Sequence, residues 1–402
     1  MQSPCCIVSK MKHLISQKNS LVLSRLTNLD AQSIEPVPVV RPSMPPLEDV
    51  LPYLRDIWAS GDLTNNGIFV RRLQEELQGY FDVPYVSLVA NCTLGTLLAL
   101  RALGITGDVI TSPYTFVATT NAIVLAGATP IFADIDPETL NLSPTAVAEQ
   151  ITERTQAILA VHCYGIPCDV EALQAIADRR GIPLIFDAAH CFGVKVGGRS
   201  VLAYGDCSIV SFHATKVFNT LEGGAIVSSN PQLVEAIGQL ANNGIIDNEN
   251  VNSIGLNAKM SELHAAVGLA QLPYVSDELA KRRTIVEAYL SALSSVQGLR
   301  FIQPSSDVVH NSYMFPIIVE PDYPITRDKL CEILRQKGIS ARKYFYPSVA
   351  DLPPYAGAPS TGPGTLAVAR RAADSVLCLP VFPGLDLAVQ NRIIEIVRNP
   401  LS

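Results

Sequence analysis

From residue 85 onward, short apolar runs alternate with polar turns and amphipathic stretches in a regular order. Apolar runs bounded by turn residues predict buried strands, and the longer amphipathic stretches predict helices. The predicted strands are 85–89, 108–111, 129–133, 156–161, 183–186, 207–212 and 225–228. Helices are predicted between most of them, at 93–103, 117–125, 143–151 and 170–180. This alternation is typical of an α/β fold with a mainly parallel, seven-stranded sheet, in which ligands bind at the carboxyl ends of the strands.

The two ends of the chain follow other patterns. Residues 31–46 hold five prolines, so we expect 1–44 to form a loosely ordered N-terminal extension. The large α/β domain then covers 45–250, and 251–402 is expected to hold interdomain helices and a small α+β domain. Further helices are predicted at 47–60, 69–80, 263–272, 276–295, 327–337, 367–377 and 387–397, and further strands at 314–319 and 340–344.

Composition excludes several classes of function. The 402 residues carry a formal net charge of −7, which gives no basic surface for nucleic acid. No apolar run reaches the roughly 20 residues that a membrane helix needs. The nine cysteines form no C-x-x-C pair, so no metal site is expected, and their odd number suits free thiols in the cytoplasm.

Two charged residues follow predicted strands. Lys216 lies in the loop after strand 207–212. A lysine in a loop is usually a solvated surface charge, but a partly desolvated amine can act as a Schiff-base nucleophile and general base. Asp187 directly follows strand 183–186, where a buried carboxylate needs a compensating partner. Either the protonated ring nitrogen of a cofactor or a structural arginine would supply that partner.

Three further candidate residues follow predicted strands. Thr93 opens a helix after the first strand, so it marks either an anion site or an ordinary N-cap. Phe116 follows the second strand and could either cover a flat heterocycle or pack in the core. His190 lies three residues after Asp187 and would either bond the same cofactor or fill space.

Together these residues match the needs of one cofactor. A phosphorylated pyridine requires a lysine for covalent attachment, a carboxylate at its ring nitrogen, donors for its phosphate and a ring to stack on. Nicotinamide and P-loop nucleotides lack their fingerprints, because the chain has no G-x-G-x-x-G after a strand and no G-x-x-x-x-G-K-[ST]. We therefore expect pyridoxal 5'-phosphate (PLP).

The chain from about residue 45 to its C-terminus resembles the DegT/DnrJ/EryC1/StrS family of sugar aminotransferases, which have the aspartate aminotransferase-like fold (fold type I). The resemblance is carried by ordered motifs, which are Gly61-x-Leu63-Thr64-x-x-Gly67, Asn91-x-Thr93, Pro113-Tyr114-Thr115-Phe116-Val117-Ala118-Thr119, Phe132-x-Asp134-Ile135-Asp136, Val161-His162-x-Tyr164-Gly165, Asp187-Ala188-Ala189-His190, Ser211-Phe212-His213-Ala214-Thr215-Lys216, Glu222-Gly223-Gly224, Asn257-x-x-Met260-x-Glu262 and Leu379-Pro380-x-Phe382-Pro383-Gly384.

The resemblance implies a role for each matching residue. Lys216 is the lysine that binds the cofactor covalently, Asp187 is the partner of its ring nitrogen, and His190 lies beside its hydroxyl group. The resemblance also implies that Thr93, the Leu94 backbone and Ser211 hold the phosphate and that Phe116 stacks on the ring. Asn257 matches an asparagine that reaches the phosphate from a neighbouring subunit, which implies a homodimer with shared active sites.

The resemblance further implies that L-glutamate donates an amino group to a nucleotide-linked keto sugar. The runs 218–225 and 162–171 look closest to family members that aminate C4 of dTDP-4-keto-6-deoxyglucose. Amination of C3 or of another keto sugar stays open. Family dehydratases replace the lysine by histidine, so Lys216 argues against that reaction. A non-catalytic regulatory member should have lost Asp187, Ser211 or Lys216, and all three are present.

Substrate contacts are less defined. Thr64 and Asn65 lie in a polar loop that either meets the substrate or only connects two helices. Tyr346 lies in an aromatic loop that either reaches the substrate or packs the domains together. His213 lies within the lysine motif and has no assigned role.

Overall fold

The structure is a computed structural model that describes residues 36–247, 249–362 and 364–401. It divides into two compact units, Met1–Val37 and Pro38–Ser402, and the second is described below. Most of the predicted extension 1–44 therefore lies outside the described residues. Within the second unit, residues 38–43 are tied to the body of the fold: the amide of Val381 donates to the Val39 carbonyl (3.0 Å), and Asn219 Nδ2 donates to the Ser43 carbonyl (2.8 Å).

The elements follow the predicted alternation closely. The α-helices of the described residues are α1 (Leu47–Ser60), α2 (Ile68–Phe81), α3 (Cys92–Ala102), α4 (Val117–Leu125), α5 (Pro144–Gln150), α6 (Val170–Arg180), α7 (Pro231–Ala241), α8 (Glu262–Gln271), α9 (Val275–Leu293), α10 (Arg327–Gln336), α11 (Ala367–Ser375) and α12 (Leu387–Arg398). The strands are β1 (Tyr85–Val89), β2 (Asp108–Thr111), β3 (Thr129–Phe132), β4 (Thr155–Val161), β5 (Leu184–Asp187), β6 (Lys195–Val196), β7 (Arg199–Ser200), β8 (Cys207–Ser211), β9 (Gly224–Ser228), β10 (Leu299–Phe301), β11 (Val308–Val309), β12 (Phe315–Val319) and β13 (Val376–Leu379).

The central sheet has seven strands in the order β1-β9-β8-β5-β4-β2-β3. Neighbouring strands from β8 to β3 pair in parallel, whereas β9 runs antiparallel to both β8 and β1. The prediction of a mainly parallel seven-stranded sheet is therefore confirmed. Parallel pairing of β5 with β8 aligns Asp187 with Ile209, so the carboxyl ends of these two strands are neighbours.

Helices cover both faces of this sheet because its strands are apolar on both sides. In β8, Val210 packs into the cluster under α2 and α8, and Ile209 packs into the cluster under α3 and α7. Both side chains are fully buried. The sheet is therefore packed against helices on both faces, and the backbone at its strand ends has a fixed position.

Two predicted elements in the second half of the chain need correction, and one helix was not predicted. Helix α7 follows β9 directly, is capped by the Asn230 side chain and packs on the sheet through Ile237. The predicted strand 340–344 is reduced to a single bridge between Arg342 and Cys378. The predicted helix 367–377 ends at Ser375, because the apolar residues that follow form β13 in a small antiparallel sheet of order β10-β12-β13.

Two further observations concern membrane-spanning helices and metal ligands. None of the helices within the described ranges is both long and apolar enough to cross a membrane. The same ranges hold no group of three or more His, Cys, Asp or Glu side chains that could bind a metal ion. The division at about residue 250 into a large and a small domain stays a prediction.

Candidate active site

The candidate site lies where β5 and β8 end. Asp187 is the last residue of β5, and Ser211 is the last residue of β8. Lys216 follows in a turn that is closed by a hydrogen bond from the Phe212 amide to the Gly223 carbonyl (2.9 Å). Phe212 and Phe218 are fully buried on either side of Lys216, so the turn is anchored in the core.

Asp187 is a buried carboxylate without an ion pair in the described part of the chain. Thr119 Oγ1 donates to its Oδ2 (2.7 Å), and the Ala189 amide donates to its Oδ1 (3.1 Å). Burial raises the pKa of Asp187, and these hydrogen bonds and the charge of Lys216 oppose that rise only in part. The carboxylate is therefore poised to accept a cationic partner.

Lys216 is half-buried and makes no ion pair within the described residues. Its Nζ lies 5.0 Å from the centre of the Tyr313 ring. The charge of Lys216 lowers the pKa of His190, and it opposes the raised pKa values of Cys92 and Asp187. Lys216 therefore lies near both Asp187 and His190, and the shared contact of Lys216 and His190 with the Tyr313 ring agrees with this.

His190 is held as a neutral imidazole. Burial, followed by the charge of Lys216, lowers its pKa well below 6.5. Its ring lies 4.9 Å from that of Tyr313, and its Nδ1 is buried without a hydrogen-bond partner in the described residues. Since a buried polar nitrogen without a partner is costly, this atom is available to a ligand bound beside Lys216.

The start of α3 offers free backbone donors. Asn91, not Thr93, is the N-cap, and its Oδ1 accepts a hydrogen bond from the Leu94 amide (2.9 Å). The Leu94 amide therefore already has a partner, whereas the amides of Cys92 and Thr93 have none among the described residues. Gly224 allows the sheet to approach this helix start closely, because a Cβ there would lie 2.9 Å from the Cys92 nitrogen. Such an arrangement favours an anion.

Ser211 and Phe116 complete this edge of the sheet. Ser211 is buried, and its Oγ accepts a long hydrogen bond from the His213 amide (3.3 Å). Phe116 precedes α4 and is 58% exposed, with no ring partner in the described part of the chain. An exposed aromatic ring at a strand end is available to stack on a planar ligand.

The remaining candidates lie apart from this group. Thr64, Asn65 and Asn257 are exposed, and no hydrogen bond or ion pair within the described residues joins them to Lys216 or Asp187. Tyr346 is 49% exposed and stacks on Arg327, whose Cζ lies 4.8 Å from the ring centre. In one chain Asp187 and His190 therefore lie near Lys216, whereas Thr64, Asn65, Asn257 and Tyr346 are exposed.

Sequence reasoning assigned no role to three residues that build the site. Tyr313 contacts both Lys216 and His190, and Thr119 bonds Asp187. Burial raises the pKa of Tyr344, and Lys216 lies close enough for its charge to oppose that rise. Thr119 stands within a recognised motif, which is a signal that could have found it. Tyr313 is brought to the site only by folding of the segment after β11.

Comparisons with known proteins identify the family of this chain. The model of the DegT/DnrJ/EryC1/StrS aminotransferase family matches residues 47–398. A dTDP-4-amino-4,6-dideoxy-D-glucose transaminase of Shigella dysenteriae is 44% identical over 365 residues, which cover 91% of this chain and 99% of that protein. The Escherichia coli protein of the same name is 39% identical over 366 residues, with the same coverage of 91% and 99%.

A solved structure supports the same conclusion. The crystal structure of DesI in the presence of its TDP-sugar product has a TM-score of 0.86 and 35% sequence identity, and it covers 90% of this chain and 92% of DesI. The predicted fold type and the predicted family are thereby confirmed. The chain belongs to the DegT/DnrJ/EryC1/StrS aminotransferase family, whose members depend on PLP, and is a sugar aminotransferase.

Proposed function

We propose that this chain transfers the amino group of L-glutamate to C4 of dTDP-4-keto-6-deoxy-D-glucose, with PLP attached to Lys216. The observation that carries the chemistry is that the Lys216 amine, in the loop after β8, lies near the buried Asp187 carboxylate at the end of β5. The choice of sugar rests on the two transaminases that are 44% and 39% identical to this chain.

The residues present fit PLP. Asp187 lacks an ion pair in the described chain and would face the protonated ring nitrogen, and the partnerless Nδ1 of His190 is available to the hydroxyl group. The free amides of Cys92 and Thr93, with Ser211, would hold the phosphate. These are the groups that the cofactor needs and that the protein leaves without other partners.

Lys216 carries the proton transfers. When bound, PLP supplies the electron sink for bonds to the donor's Cα. The Lys216 amine removes the proton from that carbon and later returns a proton to the sugar carbon, so one base serves both half-reactions. The face of Tyr313 lies 5.0 Å from Nζ and restricts the positions that the amine can take.

Asp187 and His190 set the charge around the reacting group. The bonds from Thr119 and Ala189 orient the carboxylate, which would keep the ring nitrogen protonated. His190 is neutral because of its lowered pKa, so it adds no second positive charge beside Lys216.

The substrate test uses the purified chain, L-glutamate and a panel of nucleotide-linked 3-keto and 4-keto 6-deoxysugars. We expect amination of the dTDP-linked 4-keto sugar, with the new amino group located at C4 by NMR. Amination at C3, or preference for another keto sugar, would replace the proposed substrate while leaving the transaminase chemistry intact. The absence of any amino sugar would favour a non-catalytic regulatory member, although Lys216, Asp187 and Ser211 are all present.

We further propose a homodimer in which Asn257 of the partner subunit completes each site. In one chain Asn257 is exposed, and its backbone forms an isolated bridge with Asn242. The test mixes Lys216→Ala and Asn257→Ala subunits. With shared sites, the mixed dimer has one site with both residues intact and recovers activity that neither variant has alone. Recovery would be missing if Asn257 acted in its own chain.

A further inference from the structure

Arg342 presents an unpaired positive charge near the candidate site. Its side chain is exposed, and it makes no ion pair within the described residues. Its guanidinium lies over the ring of Tyr344, with Cζ 5.6 Å from the ring centre. An exposed guanidinium without a carboxylate partner is available to bind an anion through two parallel N–H groups.

The backbone of Arg342 is fixed to the small sheet. The Arg342 amide donates to the Cys378 carbonyl (3.1 Å), and the Cys378 amide donates to the Arg342 carbonyl (2.8 Å). Cys378 belongs to β13 and is fully buried. The side chain is therefore presented from a rigid point, which is a requirement for precise ligand binding.

Tyr344 lies near both Arg342 and Lys216. Burial raises the pKa of Tyr344, and the charges of Arg342 and Lys216 both oppose that rise, so the two cations lie near the same phenol. The Tyr344 ring lies 5.4 Å from that of Phe345, which stacks 6.2 Å from the ring of His190. Arg342 is therefore an exposed cation beside Tyr344, and the neighbouring Phe345 stacks near His190.

Two neighbouring cations share one carboxylate, that of Asp328. Lys343 Nζ lies 2.5 Å from Asp328 Oδ1, and Arg327 Nε lies 2.6 Å from the same oxygen. Arg327 also donates to the carbonyls of Ala373 and Val376. Of these three cations, Arg342 is the one without a carboxylate partner in the described residues, and Lys343, which has one, offers a matched control one residue away.

We propose that Arg342 binds the diphosphate of the nucleotide-linked sugar; this rests on the proposed function. In such a substrate the diphosphate is attached to the sugar and extends away from the carbon that reacts at Lys216. The exposed Arg342 guanidinium beside Tyr344 would contact the diphosphate there. Its two parallel N–H groups match the spacing of phosphate oxygens. The competing anion is a carboxylate of L-glutamate. The half-reaction with the keto sugar and the half-reaction with L-glutamate show which of the two anions Arg342 binds.

The experiment compares Arg342→Gln, Arg342→Lys and Lys343→Gln holoenzymes with the wild type. In the half-reaction with the nucleotide-linked keto sugar, Arg342→Gln is expected to raise KM about 10- to 100-fold with little change in kcat, as for loss of a hydrogen bond to a charged group. Arg342→Lys should recover part of the loss, and Lys343→Gln should match the wild type. The L-glutamate half-reaction of Arg342→Gln should be unchanged.

Binding of free dTDP, measured by calorimetry, tests the inference separately from turnover. Wild type and Lys343→Gln should bind dTDP about 10- to 100-fold more tightly than Arg342→Gln. Equal binding by all three, no binding by the wild type, or a defect confined to the L-glutamate half-reaction would overturn the assignment. A wild-type protein that binds dTDP through Arg342 but aminates no dTDP-linked sugar would instead contradict the proposed function.

Discussion

The carboxylate of Glu262 occupies the space that a side chain at Gly67 would need. A Cβ at Gly67 would lie 2.5 Å from Cδ of Glu262. Glu262 is fully buried, and its oxygens accept hydrogen bonds from Phe69 N (2.7 Å) and Val70 N (3.1 Å), the free amides at the start of α2. The first residue of α8 therefore caps α2 and pins the end of the loop that holds Thr64.

Gly67→Ala is expected to destabilise the protein by about 1–3 kcal/mol, because the added methyl group overpacks a buried, hydrogen-bonded carboxylate. The measurement is the free energy of unfolding in urea. Gly79→Ala in α2 is the matched control, since a Cβ at Gly79 meets nothing within 4 Å. That control should stabilise by about 0.5–1 kcal/mol. Equal effects of the two substitutions would contradict the packing argument.

Lys216→Ala is expected to abolish amino transfer, because the chain then lacks the base for both half-reactions. Borohydride reduction of the wild type should fix the cofactor on the peptide that contains Lys216, as read by mass spectrometry. Lys195→Ala is the control, because Lys195 is an exposed lysine in β6. A label on another lysine, or transfer by the Lys216 variant, would show that the residue is misassigned.

Asp187→Asn is expected to raise the melting temperature of the cofactor-free protein at neutral pH while abolishing transfer. The folded chain raises the pKa of Asp187 above 3.8. The protonated carboxyl group therefore favours folding at pH values below 3.8, and this contribution to the free energy of unfolding is lost as pH rises through the pKa that Asp187 has in the folded state. Asparagine carries no such charge penalty. The stability difference should shrink as pH falls toward 3.8, and a difference independent of pH would argue against burial as its cause.

Phe116→Ala is expected to change stability by no more than about 0.5 kcal/mol, because the ring is 58% exposed. The dissociation constant for PLP should rise about 2- to 10-fold through loss of ring stacking. Thermal unfolding of the cofactor-free chain and titration with PLP measure the two effects. A large loss of stability with unchanged PLP affinity would instead indicate a packing role.

Many of the candidate site residues could be predicted because they follow strands that local patterns of apolar and turn residues reveal. Apolar runs bounded by turns located the strands, and ligand groups in an α/β sheet follow the strands directly. Lys216, Asp187 and Phe116 were found in that way. The helix α7 was not predicted, although Asn230 is a typical N-cap residue directly before Pro231.

The sequence by itself determined the alternation of strands and helices and the residue types at the strand ends, because both depend on neighbours along the chain. Only the tertiary structure decided that Tyr313 faces Lys216, that Thr119 bonds Asp187 and that Glu262 caps α2. It also decided that β9 runs antiparallel between β1 and β8. These contacts join segments distant in sequence, and their partners follow from packing, which periodicity does not encode.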